Sequence, residues 1–406
     1  MGLSPELPAP VESAIPTFKI ATASGWANGT APKAAQGLAV NALARDLQHP
    51  RRVYVLPNGD VLVAETSAPP KPDDPKGLRG LVQKAIYKIA GSAVPSANRI
   101  TLLRDTNNDG IADVRSVFVA GLNSPFGMVL VGDDFYVANT DAVLRFRYTP
   151  NATKLDGSGQ KICDLPAGTI NHHWTKDLTA SRDGAKLYAT VGSNSNVGEN
   201  GLAAEEGRAA VWEIEPDTGG HRVFASGLRN PNGPTFEPGT NKLWVAVNER
   251  DEIGSDLVPD YITSVKDGGF YGWPFSYYGQ HVDARMNPQN AELVAEAIAP
   301  DYAMGNHVAA LGLAFSGNAN LGPQFSGGAF VSEHGSWNRD PLSGYKVVYV
   351  SFVNGKPSGM PADVLTGFLS ANGHAQGRPV GVAIDKSGAL LVADDVGNTI
   401  WRVTKR

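Results

Sequence analysis

A strand, a tight turn and a second strand recur six times along this chain, and this recurrence limits the possible fold more than any other feature. The clearest copies lie near the two ends. Residues 53–65 alternate apolar positions, turn at Pro57-Asn58-Gly59-Asp60 and resume as Val61-Leu62-Val63-Ala64. Residues 380–394 do the same through Asp385-Lys386-Ser387-Gly388 and then Leu390-Leu391-Val392-Ala393. Between them, 178–191 turns at Arg182-Asp183-Gly184 and 235–247 at Pro238-Gly239-Thr240-Asn241, while 126–138 and 311–331 are looser copies. Asx and Gly residues at such turns supply the positive-φ positions and local hydrogen bonds that hairpins need.

Copies spaced by roughly 50 to 80 residues predict an all-β fold, a six-bladed β-propeller with four-stranded blades forming a single domain over 1–406. The 46 glycines and 28 prolines, spread along the chain, agree with many short strands and tight turns. A parallel α/β fold would need a helix after each strand, and one helical pattern stands out, at 75–90, where Leu78, Leu81, Val82, Ala85, Ile86 and Ile89 share a face. It reads as a short helical insertion, 71–95, beside an N-terminal segment of 1–40.

A formal net charge of -5 gives no footprint for nucleic acid, and no apolar stretch is long enough to span a bilayer. The single cysteine, Cys163, rules out an intramolecular disulfide framework. The first 18 residues lack a basic start and an apolar run, so they do not read as a secretion signal; the chain is then either cytosolic or a mature form whose signal was removed.

In a propeller the innermost strand of each blade begins beside the central channel. Residues just ahead of each repeat should therefore converge: Arg51 and Arg52, Asn123 and Ser124, His172 and His173, Arg229 and Asn230, His307, and Arg378. This set holds guanidinium, imidazole and amide groups without a carboxylate, which suits an anionic ligand bound through paired, charge-assisted hydrogen bonds. His173 is the candidate acid or base, with Asp177 as one carboxylate able to orient it. The oxygen-rich run from Asn248 through Arg250 and Asp251 to Glu252, followed by Asp256 and Asp260, suits a hard cation, and equally a solvated acidic loop. Asp105 to Asp113 begins like a calcium loop, with glycine at the sixth position, but has Ser116 where a bidentate glutamate would stand; a plain turn is the alternative.

Five further segments carry a resemblance: Asn171-His172-His173-Trp174-Thr175, Gly227-Leu228-Arg229-Asn230-Pro231, Gly268-Gly269-Phe270-Tyr271-Gly272-Trp273-Pro274, Glu333-His334-Gly335-Ser336-Trp337-Asn338-Arg339, and Gly377-Arg378-Pro379-Val380-Gly381-Val382. In this order they resemble the glucose/sorbosone dehydrogenase family, sugar dehydrogenases dependent on pyrroloquinoline quinone (PQQ), and its sorbosone dehydrogenase-like branch in particular. The resemblance implies PQQ and Ca²⁺ on one face, with His173 as the base that takes a hydroxyl proton while hydride passes to PQQ. It implies cofactor contacts from Arg229, Asn230, Arg339, Arg378, His334 and Trp337, and Ca²⁺ held by the backbone carbonyls of Arg250 and Asp251, where the glucose enzymes carry Gly-Pro. It further implies a small sugar substrate (aldose, pyranose or a keto-aldehyde such as sorbosone), an electron acceptor such as a cytochrome or quinone, and a periplasmic or secreted location. Two other readings stay open: a calcium-dependent sugar-lactone hydrolase, and a non-catalytic propeller that binds an anionic ligand.

Overall fold

In the computed structural model, residues 1–11, 17–70 and 88–406 are described. The repeats form the inner hairpins of six antiparallel sheets arranged as a β-propeller. Their first strands are Pro50–Val55, Met128–Val131, Leu178–Ala180, Asn230–Phe236, Ala310–Phe315 and Pro379–Ile384, which we number as blades 1 to 6. Each pairs with the next strand of its repeat, and two further strands complete the blade. Blade 6 takes its outermost strand from the other end of the chain: Leu38–Ala44 pairs with Thr399–Lys405 and closes the ring. Lys33–Ala34 adds a fifth strand to blade 5.

The second strand of each hairpin is an unbroken apolar run because both of its faces are covered. In Val61–Glu65, Val61 and Val63 pack toward blade 6 with Leu391 and Ile400, whereas Leu62 and Ala64 pack toward blade 2 with Phe118 and Phe135. The same division repeats around the ring, so the core consists of six inter-blade layers. Each fully buried Val or Leu contributes roughly 1.5–3 kcal/mol. Around the axis the inner strands approach too closely for side chains at certain positions: a Cβ on Gly312 would lie 2.3 Å from the Val380 carbonyl, and one on Gly127 2.3 Å from the Leu178 nitrogen.

Among the described residues, the complete helical elements are one α-helix, Ala291–Glu296, and the short 3-10 turns Leu202–Glu205 and Pro323–Phe325. The expected helix at 75–90 lies outside the described residues except for its end, 88–90, which is helical. The Asp105 loop joins the third and fourth strands of blade 1, where its own backbone satisfies its carboxylates: Asp109 N and Gly110 N donate to Asp105, and Thr106 N donates to Asp113. Nowhere among the described residues do three His, Cys, Asp or Glu side chains group so as to hold a metal ion.

Candidate functional site

Antiparallel pairing fixes what meets at the channel mouth. The start of an inner strand and the end of its partner lie at the same edge, so each blade offers residues from both ends of its hairpin. On one side of the mouth the offering is a cationic cluster around Asp395, which follows the second strand of blade 6. Arg51 Nη1 donates to Asp395 Oδ2 at 2.7 Å, His334 Nε2 lies 2.9 Å from the same oxygen, and His49 Nε2 lies 3.6 Å from it. Arg378 sits 4.9 Å from the Tyr345 ring centroid, its guanidinium donating to the Tyr345 hydroxyl (3.2 Å) and the Gly335 carbonyl (3.4 Å).

Charge in this cluster is divided unequally. Burial, with Arg378 and Arg51 nearby, outweighs Asp395 and brings His334 down to about 4, so the ring is neutral near pH 7. Loss of hydration works against ionisation of Asp395 as well, yet the surrounding cations hold it well below the usual carboxylate range. His334, His49 and Arg51 all act on this carboxylate, and a neutral His334 still donates its Nε2–H to it. The Nε–H groups of Arg51 and Arg378 are buried without a partner. Unmet donors of this kind are rare in protein interiors, and a carboxylate is their natural complement.

Arg51 also links this cluster to the next blade's loop. Its guanidinium lies 5.9 Å from the Phe126 ring and 5.8 Å from Trp174, and Phe126, Leu311 and Val380 make an apolar floor packed against Trp174. Beside Trp174 stands His173. Its Nδ1 lies 2.8 Å from the Ser193 carbonyl, a contact only an N–H can make favourably, so in the neutral ring the lone pair is on Nε2. Asn230 lies against it: a Cβ on Gly192 would come 2.4 Å from Asn230 Oδ1 and 2.5 Å from His173 Cβ. That Oδ1 is buried and has no donor.

Ser193 N donates in turn to the Arg229 carbonyl (2.8 Å), which leads to the far side of the mouth. There Arg229 places its donors on five oxygens: Asn196 O and Oδ1, Asn248 O, Glu249 O and Asp251 Oδ2. His307 Nδ1 lies 3.2 Å from Asp251 Oδ1 and its Nε2 lies 3.1 Å from the Gly254 carbonyl. Two acceptors on one imidazole call for both protons, and although burial lowers its pKa, Asp251 more than compensates and raises it above the ordinary value. Burial likewise opposes ionisation of Asp251, but His307 and Arg229 hold it below its usual range.

The expected site residues therefore separate into groups. Arg378 and His334 join Arg51, and His173 joins Asn230, while Arg229 and Asp251 join His307. Arg250 departs: fully buried, its guanidinium donates to Glu249, Asp283 and the carbonyls of Pro274 and Ser276, away from the mouth. Trp337 and Arg339 stand at the rim. Phe18 packs edge-on against Trp337 at 5.1 Å, and Arg339 donates to Asp256 at 2.8 Å. Asn123 is engaged with Asp141, and Ser124 N with Asn98, so blade 2 contributes neither to the clusters.

One expectation needs correcting and two gain detail. Asp177 does not orient His173; it is buried and pairs with Arg52 at 2.9 Å, and it also accepts Gly233 N. Carboxylates join the residues ahead of the inner strands: Asp395 and Asp251, which follow the second strands of blades 6 and 4. Of the two carbonyls expected to hold Ca²⁺, that of Asp251 is engaged within the protein. The Asp251 carbonyl already accepts Arg285 Nη1 (2.9 Å) and Asn196 Nδ2 (3.1 Å), which uses both lone pairs.

Comparison with known proteins agrees with this picture at the level of fold. Residues 33–336 match the family described as "Domain of unknown function (DUF7133)", and residues 276–406 match one described as TrAA12-like. An uncharacterized protein of Borreliella burgdorferi is 28% identical over 247 residues, covering 59% of this chain and 62% of that protein. The pyrroloquinoline quinone-dependent pyranose dehydrogenase of Coprinopsis cinerea is 27% identical over 230 residues, covering 44% of this chain and 30% of that enzyme. Both alignments thus span less than two thirds of the relative's own length. The solved holo form of the PQQ domain of the Coprinopsis cinerea pyranose dehydrogenase superposes with a TM-score of 0.74 at 20% identity, covering 96% of this chain and 100% of that one. The resemblance to the PQQ-dependent sugar dehydrogenases drawn from the motifs is borne out in these structural neighbours.

Proposed function

We propose that this chain, which belongs to the family described as "Domain of unknown function (DUF7133)", is a quinoprotein that oxidises a hydroxyl group of a small sugar at the propeller mouth. The observation that carries this reading is the pair of buried, unpartnered Nε–H groups of Arg51 and Arg378 on one side of a mouth whose other wall presents His173. PQQ is a polycarboxylate, and these two guanidinium groups fit its carboxylates, with the Phe126 and Trp174 rings as an apolar surface beside them. Bound there, PQQ would supply the two-electron acceptor that no amino-acid side chain provides.

The remaining work falls to the chain. His173 Nε2 takes the hydroxyl proton of the sugar as the carbon beside it gives up its hydrogen and two electrons, and the Ser193 carbonyl stabilises the imidazolium through Nδ1–H. The unpaired Asn230 Oδ1 accepts from a second sugar hydroxyl, which orients the ring. Trp337, Phe18 and Arg339 border the mouth, where loop side chains choose among aldoses, pyranoses and keto-aldehydes such as sorbosone. Reoxidation of a bound PQQ would call on an external electron acceptor, a cytochrome or a quinone, and the reading places this chemistry outside the cytoplasm. The carboxylates nearest the clusters, Asp177, Asp251 and Asp395, are each bound to arginine, which favours oxidation over lactone hydrolysis by a free carboxylate there.

The test is to titrate purified protein with PQQ and follow dye reduction over a panel of aldoses, pyranoses and 2-keto sugars. Turnover that depends on PQQ, and that falls about 10²–10⁴-fold in His173→Ala with PQQ still bound, supports the reading. PQQ binding without turnover on any sugar would leave a binding propeller instead.

A further inference from the structure

We propose, on the quinone reading above, that the cation which the Asp251 side of the mouth offers a bound quinone is built into the chain as the guanidinium groups of Arg229 and Arg285, and that quinone binding here needs no divalent metal. A calcium ion requires six to eight oxygens turned toward one point with lone pairs to give. The oxygens of these loops are gathered, but around nitrogen. Asn196 O and Oδ1, Asn248 O and Glu249 O all accept from Arg229 at 2.6–3.4 Å. The Asp251 carboxylate is divided between His307 and Arg229, and its carbonyl between Arg285 and Asn196.

Arg285 is itself fixed. Its Nε and Nη2 reach the two oxygens of Asp283 at 2.9 and 2.8 Å, and Asp283 also receives Arg250 at 3.2 Å. Moving Arg285 aside to admit a metal would break that pair as well as the bond to Asp251. The oxygens left without a nitrogen partner are the Arg250 carbonyl and Glu249 Oε1, too few for the six to eight that calcium requires. A guanidinium held by several acceptors is a permanent charge that neither dissociates nor loses its proton near neutral pH. Arg229 and Arg285 thus bring positive charge to the place where a bound metal would otherwise supply it.

The experiment uses the whole chain, stripped of metal with EGTA, and titrates PQQ by quenching of tryptophan fluorescence in EGTA and in excess Ca²⁺. The expected result is one dissociation constant, equal within about threefold in the two buffers. Tightening by Ca²⁺ of tenfold or more would overturn the proposal while leaving the quinone reading intact. Absence of PQQ binding in both buffers would remove both. The same titration on Arg285→Ala, which uncovers the Asp251 carbonyl, is expected to show Ca²⁺-dependent tightening that the parent lacks. A variant as indifferent to Ca²⁺ as its parent would overturn the role given to Arg285.

Discussion

At the Asp251 side of the mouth, Arg229 meets five protein oxygens; at the Asp395 side, Arg51 and Arg378 each keep a buried Nε–H that meets none. Both sides are built from arginine, histidine and aspartate at strand ends. They differ in what the neighbouring loops supply. The 196 and 248–251 loops turn carbonyls inward and use up every donor, so that side holds itself together. Around Arg378 there is only a phenol, a carbonyl at 3.4 Å and an aromatic face, so that side is left to be completed by a ligand. Arginines at equivalent blade positions can therefore be saturated by the protein in one blade, acting on a ligand through charge alone, and left with an open donor for it in another.

The comparison is most exposed at Arg229. Arg229→Met would take the guanidinium donor from Asp251 Oδ2 and from the inward Asn248 and Glu249 carbonyls, and removing one partner of a buried pair costs about 3–5 kcal/mol. Guanidinium chloride denaturation should show a loss of that size. A weaker hold on quinone should accompany it, because the charge goes with the brace; a variant of unchanged stability would break the contrast, because Arg229 would then not be braced by the protein.

The two histidines sharpen the contrast with pH, since they shift in opposite directions. His334 lies at about 4 in the fold against about 6.5 in the unfolded chain, so between these values the unfolded state binds a proton that the folded state does not. Its contribution is whole above pH 6.5 and is lost as pH falls toward 4, on the order of 3 kcal/mol in all. His307 is raised, so its contribution is whole below about pH 6.5 and is lost as pH rises through its folded value. Thermal melts across pH should lose the acid-side decline in His334→Asn and the alkaline-side decline in His307→Asn. Equal slopes in both variants would mean that the two sides are not electrostatically distinct.

The sequence made the blades legible because the recurring hairpin carries both the turn chemistry and the apolar runs; all six copies became the inner hairpins of blades. Half of the mouth was legible for the same reason: the residues ahead of the inner strands, His173, Arg229, His307 and Arg378 among them, did converge. The other half went unseen because it sits at the ends of the second strands. Asp395 after Leu390–Asp394, Ser193 after Leu187–Val191 and Asp251 after Leu243–Asn248 reach the mouth because antiparallel partners return to the edge they started from. Reading both ends of each repeat would have found them. Pairing itself was not readable: nothing in the spacing says that Arg52 and Asp177, or Arg250 and Asp283, would turn toward each other.

Arg378 provides the finest test, because its charge pairs with no carboxylate. Arg378→Met gives up the weak bonds to Tyr345 and Gly335 and a cation–π contact, which should lower stability by only about 1 kcal/mol. A charge-assisted hydrogen bond to a bound carboxylate is worth about 1.5–3 kcal/mol, so PQQ affinity should fall roughly 10- to 150-fold. Large binding loss with small stability loss differs from Arg229→Met, where a large stability loss should accompany any binding loss, and the pair of variants measured together reads the division of the mouth directly. If Arg378→Met instead unfolds the protein while the survivors bind PQQ normally, the unpartnered Nε–H is a strained packing feature, and the cofactor's carboxylates must be sought elsewhere on the rim.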